Sequence, residues 1–178
     1  KVAQACGITM EGLRAAAGEV EAVAGVTRDV TERKLAEERA EFLSELTGKL
    51  TTMSDEGEII KAVVESLGRR LKAHRCYFVE FLPDQDLMIV ANDWAADPLQ
   101  ELGGTYAIHE FGSPEWWQHY SHGKFAVEDV RTNPLTLPYS EAYQSLGVLS
   151  YAAHPFHADE NRMVALAVTS RTTRVWSA

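Results

Sequence analysis

Between Thr31 and Thr52 single apolar positions are set among blocks of charge. Leu35, Phe42, Leu46, Leu50 and Met53 recur at intervals of seven, four, four and three. That spacing makes one stripe on a helix, with Glu32, Lys34, Glu37, Glu38, Arg39, Glu41 and Glu45 mostly off it. No proline and one glycine interrupt the run. The stripe lasts about two and a half heptads, short of the three or four a coiled coil normally shows. A solvated helix packed on its own domain and a parallel dimeric coiled coil both fit.

The pattern then changes twice. Ser54 is placed to cap a second helix, with Asp55, Glu56 and Glu58 in its positively polarised first turn. Ile59, Ile60, Val63, Val64, Leu67 and Leu71 form its buried face, and Arg69, Arg70 and Lys72 suit its C-terminal end. Strand-like runs follow at 76–82 and 87–92, separated by Pro83-Asp84-Gln85-Asp86, which reads as an antiparallel hairpin. Shorter strands are predicted at Thr105–His109 and Phe125–Asp129. Between them an aromatic loop or short helix spans Ser113–Gly123. A short helix over Ser140–Leu146 leads to Gly147, and a last strand pair covers 148–156 and 162–170 around Asp159-Glu160-Asn161. This order predicts an α+β fold, one antiparallel sheet covered by helices.

The first thirty residues read differently. Val20, Val23, Val26 and Val30 stand among small residues, with Gly12 and Gly18 as punctuation. A hairpin over Ile8–Val30 is the expectation, and a lone hairpin is marginal in water. It reads as the edge of a domain whose body lies outside the chain, and Ser177 reads as a helix cap with no helix after it.

Composition narrows the function. The net charge of -9 opposes nucleic acid and anionic lipid, whose affinity comes from Lys and Arg. Two cysteines, Cys6 and Cys76, exclude a disulfide framework and suit a reducing compartment. No apolar run reaches the roughly 18–20 residues of a membrane span, so a cytoplasmic location without direct membrane contact is expected. Phosphate-loop, dinucleotide and nucleophile-elbow motifs are absent, and so no catalytic residue is assigned. Five of the histidines lie in the second half of the chain. His119 and His122 would share a helix face, but no Cys or acidic partner completes a metal spacing.

Two segments carry a family resemblance. GVTRDVTERKLAEE, Gly25–Glu38, resembles the last strand of a PAS domain running into its exit helix, as in bacterial sensor kinases and cyclases. Ser54–Ala178 resembles a GAF domain: a long opening helix, the hairpin at HRCYFVEF, then FAVEDVRTNP, LGVLSYAAHPF and MVALAVTS. The implied organisation is a PAS C-terminal hairpin at 1–30, a connector helix at 31–53, and a GAF-like sensor domain at 54–178 lacking its last helix.

The resemblance implies a ligand pocket on one sheet face, among Phe78, Trp94, Trp116, His119, Asp129, Tyr143 and His154. Aromatic walls with a few polar groups suit a small organic ligand, although the same aromatics also serve simply to seal the sheet. Some family members attach a bilin to a cysteine in the helix before the Leu-Gly-Val strand. The matching positions here are Pro138 and Tyr139, so a covalent bilin is not expected, and the cofactor stays unknown. GAF-like methionine sulfoxide reductases need several cysteines in this domain, where Cys76 stands alone.

The functional expectation is a regulatory input module of a bacterial sensor protein, of histidine-kinase type, dimeric through the connector helix. The alternatives are a ligand-free dimerisation and relay module, or the input domain of a diguanylate cyclase or transcription regulator.

Overall fold

The computed structural model describes residues 20–97, 102–159 and 162–176. The chain divides at Lys49/Leu50 into two units. The first contains helix α1, which spans Val20–Leu50. Its start corrects the hairpin expectation, for Val20–Val30 is helical and not a strand; Ile8–Glu19 lie outside the described residues. The reason is visible in the spacing. Val20, Val23, Val26 and Val30 step by three, three and four, which is a helical period, whereas a strand would throw them onto alternate faces. With no proline in the run, local hydrogen bonds form without the sheet that a hairpin would need. Arg33 and Glu37 pair one turn apart at 3.5 Å. Leu35 and Leu43 are 47% and 58% exposed, so this helix presents apolar side chains to solvent.

The second unit begins with α2, Glu56–Arg70, capped one residue later than expected: Asp55, not Ser54, accepts the Glu58 N–H at 2.9 Å. Six strands follow, β1 Arg75–Leu82, β2 Leu87–Ala95, β3 Gly104–Ala107, β4 Phe125–Val127, β5 Ser150–Asp159 and β6 Arg162–Ser170. They form one antiparallel sheet in the order β3-β2-β1-β6-β5-β4. Helices α3, Pro114–Ser121, and α4, Ser140–Ser145, lie in the β3–β4 and β4–β5 connections. The fold is GAF-like α+β. Ser177 and the Glu160-Asn161 tip lie outside the described residues.

Register fixes which side chains share a face. Arg75, Tyr77, Val79 and Phe81 pair across to Thr169, Ala167, Ala165 and Met163 on one face, while Cys76, Phe78 and Glu80 pair to Val168, Leu166 and Val164 on the other. The second face packs on α2 through Val64, Ala73, Cys76 and Val168, joined by Leu67 and Trp94. Gly68 makes that approach possible, because a Cβ there would lie 2.2 Å from the Trp94 ring. The first face carries the larger, aromatic core.

Between Cys76 and Phe78 the register slips, with one residue on β1, Tyr77, opposed by two on β2, Asn92 and Asp93. Asn92 adopts φ 52 at this bulge, a left-handed conformation that Asn tolerates better than most residues. Next to it Asp93 pairs with the buried guanidinium of Arg75, a re-aiming of one side chain of the kind bulges produce.

Candidate functional site

The aromatic face closes over a cavity of about 50 Å³. Its floor is Tyr77, Val79 and Phe81 of β1 with Ala167 of β6, and α3 and α4 supply Trp116, Tyr120 and Tyr143 above it. Ser113 caps α3 by accepting the Trp116 N–H at 3.2 Å, and Pro114 stands in its first turn. The cap sets the angle at which Trp116 enters the core. Ring stacks on ring: Trp116–Tyr120 at 4.7 Å, Tyr120–Phe81 at 5.2 Å, Tyr143–Tyr151 at 5.4 Å and Phe111–Tyr143 at 5.4 Å. Offset and edge contacts of this kind add to the burial of apolar area.

The polar tips inside this core are tied to one another. Trp116 Nε1–H donates to Tyr151 Oη at 2.8 Å, and Tyr143 Oη–H donates to the Phe111 carbonyl at 2.8 Å. The two tyrosine hydroxyls are 3.4 Å apart. Burial pushes the Tyr77, Tyr120, Tyr143 and Tyr151 phenols up, with the neighbouring tyrosines adding to the rise in the first three. They remain protonated, and the cavity offers donors and apolar walls, not anions.

Of the residues expected in a pocket, Trp116 and Tyr143 meet here. Phe78 belongs to the opposite face, paired with Leu166. Trp94 is there too, beneath α2, with the Arg69 guanidinium 5.7 Å from its ring. His154 also lies on that face; it lines a separate hollow of about 340 Å³ with Leu67, Phe156 and Trp176. His119 is on the exposed side of α3. Asp129 organises a turn: its carboxylate accepts from the Arg131 backbone and guanidinium at 2.7–2.9 Å, and its carbonyl accepts from Asn133. Hydrogen bonds from Arg131 hold the Asp129 carboxyl below its ordinary value.

Tyr77, Phe81, Tyr120 and Tyr151 are pocket residues that sequence reading missed. β1 and β6 are covered on both faces, so the alternation that marks an inward side is erased. Only the pairing of β1 with β6 resolves the parity.

A second, more polar cleft of about 220 Å³ opens beside the cavity and shares Leu102, Tyr106 and Leu146 with it. Tyr106 Oη–H donates to the Leu102 carbonyl at 2.6 Å, and the Leu102 N–H donates to Asp93 at 3.0 Å. The Arg75–Asp93 pair thus holds the residues before β3 in place. Among the described residues, no three His, Cys, Asp or Glu side chains gather as a metal-binding set, and no helix is long and apolar enough to cross a membrane.

No family model matches the chain, and no curated protein matches it. Solved structures do resemble it. The phycoerythrobilin-bound GAF domain from a cyanobacterial phytochrome is 18% identical with a TM-score of 0.64, covering 78% of this chain and 83% of its own. The GAF domain of a phosphoenolpyruvate-protein phosphotransferase from Coxiella burnetii is 12% identical, TM-score 0.59, covering 78% and 80%. Free methionine-R-sulfoxide reductase from Neisseria meningitidis, in complex with its substrate, is 15% identical, TM-score 0.57, covering 78% and 76%.

These likenesses invite a fit test for a bilin. The interior space of about 50 Å³ is far below the roughly 300–1,000 Å³ of a drug-sized site. Pro138 and Tyr139, where the attaching thiol would be expected, form a 3₁₀ turn before α4. Cys76 faces α2 on the other side of the sheet, its thiol pushed up to about 12 by burial. With this side-chain packing the cavity is too small for a tetrapyrrole, and among the described residues no thiol stands on its side of the sheet.

Proposed function

We propose that this chain is the regulatory input module of a multidomain signal-transduction protein of the two-component histidine-kinase type, acting in the cytoplasm as a homodimer through α1. It senses and relays, and catalysis belongs to another domain. Two features, one in each unit, carry this reading. One is a GAF-like sheet whose aromatic face closes over a small, mainly apolar cavity. The other is a long charged helix that leads into it with an apolar stripe left open to solvent. Leu35 is largely exposed and Leu46 and Leu50 are half-buried; a second copy of the same stripe covers them at the spacing a two-helix seam requires. The sequence of Gly25–Glu38 is the ground for placing a PAS domain upstream; the segment is helical throughout, so only the exit-helix part of that junction is kept, as part of α1.

The similar phytochrome domain carries a bilin. A bilin here would have to displace Trp116 and Tyr143 and bind without a covalent bond, so the signal we assign is a smaller organic ligand. Relay then requires that this ligand bind one helix arrangement better than the other, since equal affinity shifts nothing.

Sedimentation equilibrium of the chain and of Leu46→Glu/Leu50→Glu tests the relay. Dimers that become monomers, with the sheet domain still melting cooperatively, are expected. A wild-type monomer, or a dimer indifferent to both charges, refutes the reading.

A further inference from the structure

The polar cleft lies at the end of the sheet where β1 begins and β6 ends. His74, Arg75, Thr169 and Arg171 line it. In a chain of net charge -9, none of the described residues lining the cleft is acidic. Arg75 is engaged with Asp93, whereas Arg171 is exposed and forms no ion pair with any described residue. Its Nε lies 3.7 Å from where a Cβ on Gly147 would stand, and Gly147 has φ +71. A larger residue at 147 would therefore be strained by its backbone, and its Cβ would sit in van der Waals contact with the guanidinium.

Two further donors converge on the same place. His74 Nδ1 takes the Arg171 N–H at 3.4 Å and contacts Ser170 Oγ at 3.1 Å. With Nδ1 accepting, the ring proton sits on Nε2, which has no partner among the described residues. Thr169 is 2% exposed, stands opposite Arg75 in the sheet and lines the cleft. Its hydroxyl makes no hydrogen bond to any described residue. The residue is buried, but this hydroxyl is not a buried orphan; it opens onto the cleft. A guanidinium, an imidazole N–H and a hydroxyl without partners are the donor set that an oxyanion satisfies.

We propose that this cleft binds the oxyanion group, carboxylate or phosphate, of a small ligand whose apolar part lies against Leu102, Tyr106 and Leu146. Those three residues are the wall shared with the aromatic cavity. The assignment rests on reading the sheet domain as a ligand sensor, and it names the chemical class sensed: an anion with a short apolar body. Arg171 supplies paired N–H donors, His74 and Thr169 one each; Asp93 lies outside the cleft lining, its Oδ2 engaged by Arg75 and the Leu102 N–H and its Oδ1 buried without a partner.

The test uses the full 178-residue chain with three probes: benzoate, its neutral counterpart benzamide, and inorganic phosphate. Each is followed by calorimetric titration and by the shift in melting temperature. At least one anion is expected to bind, with affinity falling as salt rises and weakening at least about tenfold in Arg171→Gln, the scale of a lost charge-assisted bond. Arg171 is exposed, so that variant keeps the unliganded melting temperature. Thr169→Val, of nearly equal volume, weakens binding without changing its salt dependence. Benzoate binding assigns a carboxylate ligand with an apolar body, and phosphate binding alone assigns a phosphate ligand. Benzamide binding as tightly as benzoate overturns the proposal. So does anion binding indifferent to Arg171→Gln, or the absence of titration by either anion at about 10 mM, ten times a millimolar Kd. The dimer measurement on Leu46 and Leu50 involves no ligand, so failure of the cleft and failure of the relay are separately visible.

Discussion

Replacing Tyr151 by Phe removes one oxygen from the centre of the aromatic core. Tyr151 and Trp116 are 4% and 3% exposed, and the indole N–H of Trp116 donates to this oxygen at 2.8 Å. Without it a buried donor is orphaned, a loss on the order of 1–3 kcal/mol. One effect works against the upper end of that range. The vacated position borders the existing cavity of about 50 Å³, large enough for water, whose threshold is about 10–15 Å³. Tyr143 Oη, 3.4 Å from the missing oxygen, gives such a water a second partner. The expected cost is therefore about 1–2 kcal/mol, read from urea denaturation with an unchanged slope. Trp116→Phe costs packing of its own, but it removes the donor. Tyr151→Phe added to it should therefore cost about 1 kcal/mol less than it does alone. Additivity of the two changes within about 0.5 kcal/mol would refute the claim that this bond, and not ring packing, ties α3 to β5.

Three further outcomes follow from particular groups. The exposed Asp86–His109 pair, which joins the β1–β2 turn to the 3₁₀ turn after β3, makes stability pH-dependent: hydrogen bonding to Asp86 raises His109 above 6.5, and bonding to His109 lowers Asp86 below 3.8. The His109 contribution is full below its ordinary value and disappears as pH rises through its raised value; the Asp86 contribution is full above 3.8 and disappears as pH falls through its lowered value. Thermal melts of wild type and His109→Ala across pH should thus differ most between those limits and converge at both ends; a constant difference contradicts the pairing. Cys76, with its thiol pushed up to about 12 by burial, should resist iodoacetamide at neutral pH until the domain unfolds, and peptide mapping that finds it alkylated in the folded protein contradicts its placement under α2. Gly68→Ala should destabilise although it favours the helix by about 1 kcal/mol, because its Cβ meets the Trp94 ring; in a Trp94→Ala background the sign should reverse.

Helices and strands were legible because burial on one side leaves a period in the sequence. α2 has a well-marked face, from Ile59 to Leu71, and β5 and β6 stop near their expected ends. Where two faces are buried, the period disappears. CYFVEFL is apolar almost throughout, so nothing in it says that Tyr77 and Phe81 look into the aromatic core while Cys76 and Phe78 look to α2. That Trp94 and His154 lie on the α2 face, apart from Trp116 and Tyr143, is hidden for the same reason. The resemblance implied Asp129 in the pocket; its partners are its own near neighbours, as local turn chemistry provides. The missed signal was Asn92-Asp93 within an otherwise apolar strand, the mark of a bulge. It pairs with an arginine eighteen residues away, a distance no local pattern spans.

The position of the cleft also suggests how an anion there would reach α2. The last turn of α2 is held from outside the helix by Arg174, whose guanidinium donates to the carbonyls of Leu71 at 2.8 Å and Lys72 at 3.3 Å. Lys72 has φ 49, and two residues later His74 donates its backbone N–H to the Thr169 carbonyl. The end of α2, the start of β1 and the Arg171–Arg174 segment are therefore one hydrogen-bonded cluster, and two of the proposed anion donors, His74 and Arg171, belong to it. An anion that draws them together acts on the segment that caps α2, whereas a ligand confined to the aromatic cavity touches only sheet and short helices. The sizes agree with this division. The cavity is small and internally hydrogen-bonded, suited to rigidity, while the cleft is larger, polar and lined by His74 and Arg171 of the segment that follows the helix end. If the module relays a signal through its helices, the cleft is the better-placed trigger and the aromatic core the rigid body against which it works.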